Sequence, residues 1–141
     1  MKQLKPRKPI RRQRLKSKDS VWRKALSLAE QAWKEAIKRR SGNICEVHQA
    51  TCSDSVFQVD HFRSRAHAAT FLLPENGTFV CRSLNANKAW GTNNAAEKIA
   101  YVVLKREGQQ TVDFLLGYHA PKKYNIIELE EITENLNRLW R

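Results

Sequence analysis

The chain has 141 residues, of which 41% are apolar and four are tryptophan, and this suits one modest domain with a real core rather than two. No run approaches the roughly 20 apolar residues of a membrane span, and the charged start is not followed by the apolar stretch of a signal peptide, so a soluble cytoplasmic protein with no membrane partner is expected. The net charge of +12 exceeds ordinary solubility needs and points to a polyanion, without separating DNA from RNA or an acidic membrane.

Residues 1–18 hold nine Lys or Arg and no acid, with Pro6 and Pro9 against any early helix. They are expected to be a disordered basic arm that lies along phosphates, or a solvated tail. From Ser20 the pattern turns helical. Val21, Trp22, Ala25, Leu28, Ala29, Ala32, Trp33, Ala36 and Ile37 recur at three- and four-residue steps, and Ser41-Gly42-Asn43 supplies the stop. The two tryptophans share this stripe and are expected in the core. The opposite face carries Arg23, Lys24, Lys34, Lys38 and Arg39, a solvated face or one turned to DNA.

Residues 44–55 contain two of the three cysteines. In a cytosolic protein such spacing suggests metal before disulfide, and an odd count closes no disulfide framework. Cys45, His48, Cys52 and Cys81 can together make a tetrahedral zinc site. The alternative is a set of small buried hydrophobes.

A short strand over residues 56–61 ends in Asp60-His61, and Thr78-Phe79-Val80 is the return strand, with Asn76-Gly77 as turn residues at its start. Residues 81–90 form a short helix on which Asn85 and Lys88, three apart, share a face. Cutting a phosphodiester takes a base to deprotonate water and a divalent cation to neutralise charge on the phosphate, held in a rigid frame. An Asp-His pair at a strand end, joined through a loop to a helix with an amide oxygen, supplies these parts, with His61 as the candidate base. Successive strand side chains diverge, so a bend at the strand end is needed if Asp60 and His61 are to address one phosphate. Arg63 and Arg65 follow closely, and their guanidinium groups suit bidentate phosphate contact.

Residues 92–107 read as a scaffold helix with Ala96, Ile99, Ala100, Val103 and Leu104 inward and Gly108 as stop. A shorter apolar turn or helix covers residues 111–116. The last helix starts at Asn125, where Glu128 completes a capping-box pattern, and Ile126, Leu129, Ile132, Leu136, Leu139 and Trp140 form its stripe. Its glutamates make the one strongly acidic surface, which should face away from nucleic acid.

Asp60-His61, Asn76, Asn85 and Lys88, in this order and spacing, resemble the HNH, or ββα-metal, nucleases. That resemblance implies that Asp60 and Asn85 ligate Mg²⁺ or Mn²⁺, that His61 is the base, and that Asn76 ties down the loop presenting it. Lys88, with Arg63 and Arg65, would contact DNA. A narrower resemblance spans residues 44–140. His61-Phe-Arg-Ser-Arg65, Cys81-Arg-Ser-Leu-Asn85, Gly91-Thr-Asn93 and Gly108-Gln-Gln-Thr-Val-Asp113 look like the NinG/Rap recombination nucleases of lambdoid phages. Those nucleases brace the hairpin with two Cys-x-x-Cys knuckles; here one ligand position is Leu84, and Cys52 is the candidate replacement. The balance leans slightly toward a knuckle without zinc.

The expected fold is α+β: a small ββα-metal hairpin-helix core with an N-terminal helix and C-terminal helices packed around it. Residues 19–141 form a single nuclease domain whose site core covers about residues 44–92. The expected function is metal-dependent DNA endonuclease, with branched recombination intermediates as the substrate class the resemblance implies; for a phage-encoded chain the compartment is the host cytoplasm. The alternatives are a non-catalytic DNA-binding recombination accessory module and an RNA-binding factor.

Overall fold

The computed structural model describes residues 18–141, so the basic arm expected over residues 1–18 lies, apart from its last residue, outside them. The described residues form helix α1 (Lys18–Arg40), strands β1 (Phe57–His61) and β2 (Gly77–Cys81), and helices α2 (Arg82–Trp90), α3 (Ala95–Glu107), α4 (Gln109–Leu116) and α5 (Ile126–Arg138). The architecture is α+β, an antiparallel two-stranded hairpin embraced by helices, as the sequence predicts. No helix among the described residues is long and apolar enough to cross a membrane.

The hairpin has a core on each side. On one, Ala29, Trp33, Ala36 and Ile37 of α1 pack with Phe79, Phe71 and Leu72, and α5 closes the cluster with Leu129 and Leu136. On the other, Val80 and Leu84 pack with Ala95, Ile99 and Val103 of α3 and with Val112 and Leu115 of α4. Alternation of side chains along a strand is what lets a two-stranded sheet serve two cores.

The expected α1 stripe is narrower than its sequence suggests: Ala29 to Ile37 are buried, whereas Val21 and Leu28 are 44% and 49% exposed. Gly42 and Asn43 take left-handed backbone (φ 62° for each) and end the helix. On α3, Ile99 and Val103 face the core as expected and Ala100 is half-buried, but the edge of the expected stripe formed by Ala96 and Leu104 is not buried. Ala95, Ile99 and Val103 are its buried residues, whereas Ala96 is exposed and Leu104 is 39% exposed. The helix begins only at Ala95, after Asn93 and Asn94 in left-handed conformation, and the i, i+4, i+8 row from that start faces the core. α5 carries the capping box: Asn125 Oδ1 accepts from the Glu128 N–H at 2.9 Å, and Glu128 Oε2 accepts from the Asn125 N–H at 2.8 Å.

The strands are joined by a long loop, residues 62–76, that is fastened at many points. Asn76, wholly buried, accepts the Arg63 N–H on its side-chain oxygen (2.6 Å) and donates to the Arg63 carbonyl from its side-chain nitrogen (3.0 Å). Trp33 Nε1 donates to the Leu73 carbonyl at 2.8 Å, and the Tyr124 hydroxyl donates to the Ala68 carbonyl at 2.7 Å. Backbone polar groups that leave water are thereby satisfied from distant elements.

Candidate functional site

The sequence brings Asp60 and His61 to the end of β1, in register with Thr78 and Gly77 of β2. The strand runs regularly through both residues. There is no bend there, and the two side chains part as strand alternation dictates: His61 goes to the α1 side and Asp60 to the α2 side.

The His61 ring stacks on Trp33, with centroids 4.2 Å apart and planes 14° from parallel. Its Nε2 lies 3.1 Å from the Phe71 carbonyl. A carbonyl only accepts, so Nε2 carries the hydrogen, and Nδ1 keeps the lone pair of a neutral imidazole. Burial holds the His61 pKa down at about 4; the Phe71 carbonyl opposes this, and the charges of Arg65, Lys34 and Lys88 add to it. The ring is therefore neutral at pH 7, in a distinctly positive neighbourhood.

Gly77, across from His61, makes the stack feasible. A Cβ there would meet Ile37 Cδ1 at 2.0 Å and Trp33 Cζ2 at 2.7 Å, so only glycine lets the indole lie against the hairpin.

On the other face, Asp60 is 8% exposed and receives Lys88 Nζ on both oxygens, at 2.8 and 2.7 Å; the same ammonium donates to the His61 carbonyl at 2.9 Å. Burial raises the Asp60 pKa, and Lys88 pulls against that rise. One turn earlier on α2, Asn85 donates from Nδ2 to Gln58 Oε1 at 2.5 Å, which turns its amide oxygen to other partners. Thus the helix meets β1 through two rungs, Gln58 with Asn85 and Asp60 with Lys88. The Asp60 carboxylate and the Asn85 amide oxygen, on neighbouring rungs of this contact, are hard donors in type.

The two arginines after His61 differ from each other. Arg63 is engaged internally: its Nη1 donates to the Leu116 carbonyl at 2.6 Å and its Nη2 lies 3.3 Å from His67 Nδ1. In this arrangement the Arg63 guanidinium is held at the end of α4 rather than pointing free. Arg65 pairs with Glu30 at 2.6 Å but keeps 61% of its side chain exposed, with its guanidinium over the Phe71 ring.

Cys45, His48, Cys52 and Cys81 converge. One donor atom from each lies within 4.8 Å of all the others, and the group can hold a metal ion. Cys81 Sγ is 3.4 Å from His48 Nδ1, and the His48 N–H donates to Cys45 Sγ at 3.5 Å. Burial pushes the Cys81 thiol up to about 11, with Ser83 pulling the other way. Leu84 sits in the core beside α3, 3% exposed, and Cys52 is the fourth donor of the cluster.

Beside this cluster lies a polar centre that sequence reasoning missed. Glu46 accepts from Arg40 (3.1 Å), Arg106 (3.0 Å) and the Phe79 N–H (2.6 Å), and both arginines also donate to the Gly77 carbonyl, at 2.8 and 3.0 Å. Glu46 covers the outer edge of β2, its own N–H donating to the Phe79 carbonyl at 2.8 Å. The one sequence signal was an acid between two metal-type residues, Cys45 and His48.

Compared with known proteins, the chain matches no family model, no curated protein and no solved structure.

Proposed function

We propose that this chain is a metal-dependent DNA endonuclease of the HNH type, with His61 as general base. One observation carries the reading: a neutral histidine, its tautomer fixed by the Phe71 carbonyl and its plane by Trp33, stands at a strand end next in sequence to a buried carboxylate. That carboxylate leaves the strand on the opposite face, toward a polar helix, so that in this reading the scissile phosphate straddles the strand end. Nδ1 of His61 takes the proton of the attacking water. Asp60 and the Asn85 oxygen hold Mg²⁺ or Mn²⁺, which when bound neutralises charge at the scissile phosphate. Lys88, which pairs with both Asp60 oxygens, would turn to phosphate if a cation took its place there. Asn76 keeps the loop from Arg63 onward in place and so positions His61 without touching substrate. Arg65 and Lys34 give the approach its positive charge.

The second metal is zinc, held by Cys45, His48, Cys52 and Cys81, since three thiolates and an imidazole form a soft tetrahedral set. Its part is structural: it joins the segment after α1 to the end of β2, from which α2 starts.

A rival reading as a non-catalytic DNA-binding module is favoured by the Asp60–Lys88 pair, which already neutralises the carboxylate. Incubation with supercoiled, linear and branched DNA, with and without Mg²⁺ or Mn²⁺, separates the two. His61→Ala should lower cleavage by about 10² to 10⁴ and leave DNA affinity and melting largely intact. Cleavage at the wild-type rate by His61→Ala, or none by the wild type in any metal, overturns the nuclease reading.

A further inference from the structure

Between α1 and α2, along the open edge of β1, runs a groove of about 590 Å³. That is within the range of small-ligand clefts, about 300 to 1,000 Å³. Its α1 wall carries Lys34 and Lys38, one helical turn apart, with Glu35 between them, and its far wall carries Gln58 and Asn85. Both lysines are exposed, and among the described residues neither is in an ion pair. The floor is the half-buried Phe57 ring, backed by Phe79 with centroids 5.4 Å apart and planes 20° from parallel.

We propose that this groove seats one unpaired nucleotide of the strand to be cut, its base on Phe57 and its flanking phosphates on Lys34 and Lys38. The inference rests on the nuclease reading for what happens next to the groove. Phe57, Val59 and His61 alternate on one face of β1, and Lys34 follows Trp33, the residue under the His61 ring, so the groove leads along the strand to the base. A stiff aromatic platform accepts any base, because each presents a π-face. Gln58 takes the Asn85 N–H on its oxygen and so has its own amide hydrogens for a base edge. The two lysines outnumber Glu35, so the wall favours an anion. A paired base is stacked between its neighbours and cannot reach a floor recessed between two helices. The ligand is accordingly a single strand, as at a gap, flap or junction.

The test is fluorescence anisotropy of a short single-stranded DNA oligonucleotide and of its duplex, over a salt series without added divalent ions. Lys34→Ala/Lys38→Ala should weaken single-strand binding by about tenfold or more and flatten its log–log salt slope by about 1.4, or 0.7 for each phosphate lost. Phe57→Leu should weaken it at an unchanged slope. The control pair Lys98→Ala/Lys105→Ala, exposed on α3, should behave as wild type. An unchanged slope in the first variant, or an equal loss on the duplex, overturns the groove. Cleavage with Mg²⁺ at saturating oligonucleotide is read separately. Binding as described without any cutting removes the nuclease reading alone, whereas cutting with an unchanged slope removes the groove alone.

Discussion

The imidazole of His61 lies flat on the indole of Trp33, centroids 4.2 Å apart, and the indole itself is fixed by its N–H on the Leu73 carbonyl at 2.8 Å. A helix residue thus sets the plane of a strand-end histidine, and the loop between the strands sets the helix residue.

Gly77→Ala tests this arrangement without touching either ring. The added methyl meets Ile37 and Trp33 well inside contact distance. Overpacking of this kind costs about 1 to 3 kcal/mol. Urea unfolding should report that loss, and cleavage by the folded variant should fall because the His61 plane shifts. Wild-type stability and activity together would show that the stack tolerates a side chain there.

Acid should weaken the fold through His61. Its pKa is about 4 in the folded chain and about 6.5 when unfolded, so on acidification the unfolded chain takes the proton first. Stability is therefore unaffected by this group above pH 6.5 and declines as pH falls from 6.5 toward 4. His61→Ala, melted across the same range, should show a shallower decline. Parallel curves for the two chains would assign the acid sensitivity elsewhere.

Elemental analysis of protein purified without chelator should find about one zinc per chain. Sequence alone leaned the other way because Leu84 stands at a ligand position; convergence of four donor atoms within 4.8 Å reverses that lean. Cys52→Ser should lose the zinc and lower the melting temperature, since binding energy at a structural site is folding energy. A zinc-free wild type with unchanged melting in Cys52→Ser would make the cysteines packing residues.

Glu46→Ala should be among the most damaging single changes. It strips the shared partner from Arg40 and Arg106, whose side chains are 12% and 19% exposed. Removing one side of a buried ion pair costs about 3 to 5 kcal/mol. Denaturant midpoints would measure it, and a loss below about 1 kcal/mol would mean that water reaches both guanidinium groups.

What could be read from the chain and what could not divide along physical lines. The α1 stripe and the Asn125 capping box are local patterns, and periodicity or a three-residue spacing announces them. Asn76 was legible as a turn former, and its side chain does close the loop onto Arg63. The Glu46 centre was not legible, because its partners Arg40, Phe79 and Arg106 meet it only through folding, and nothing in a charge pattern says which arginine is buried. The contact of Arg63 with the Leu116 carbonyl was not legible for the same reason, since the two residues meet only through folding. Which edge of the α3 stripe turns inward depends on its packing against α2 and α4, which periodicity alone does not show.

The fastening of the loop over residues 62–76 bears on the order in which the molecule is made. Tyr124 holds Ala68 through its hydroxyl and Trp22 through its carbonyl, and Leu116 holds Arg63. A chain emerging from the ribosome has made both strands long before these anchors exist. Hairpins with two-residue turns zip up on their own, but one closed through a long loop waits for its distant supports. The loop is therefore fully fastened only once Leu116 and Tyr124 are made, whereas Trp33, Phe71 and Asn76, which hold the histidine end, are present with the hairpin itself.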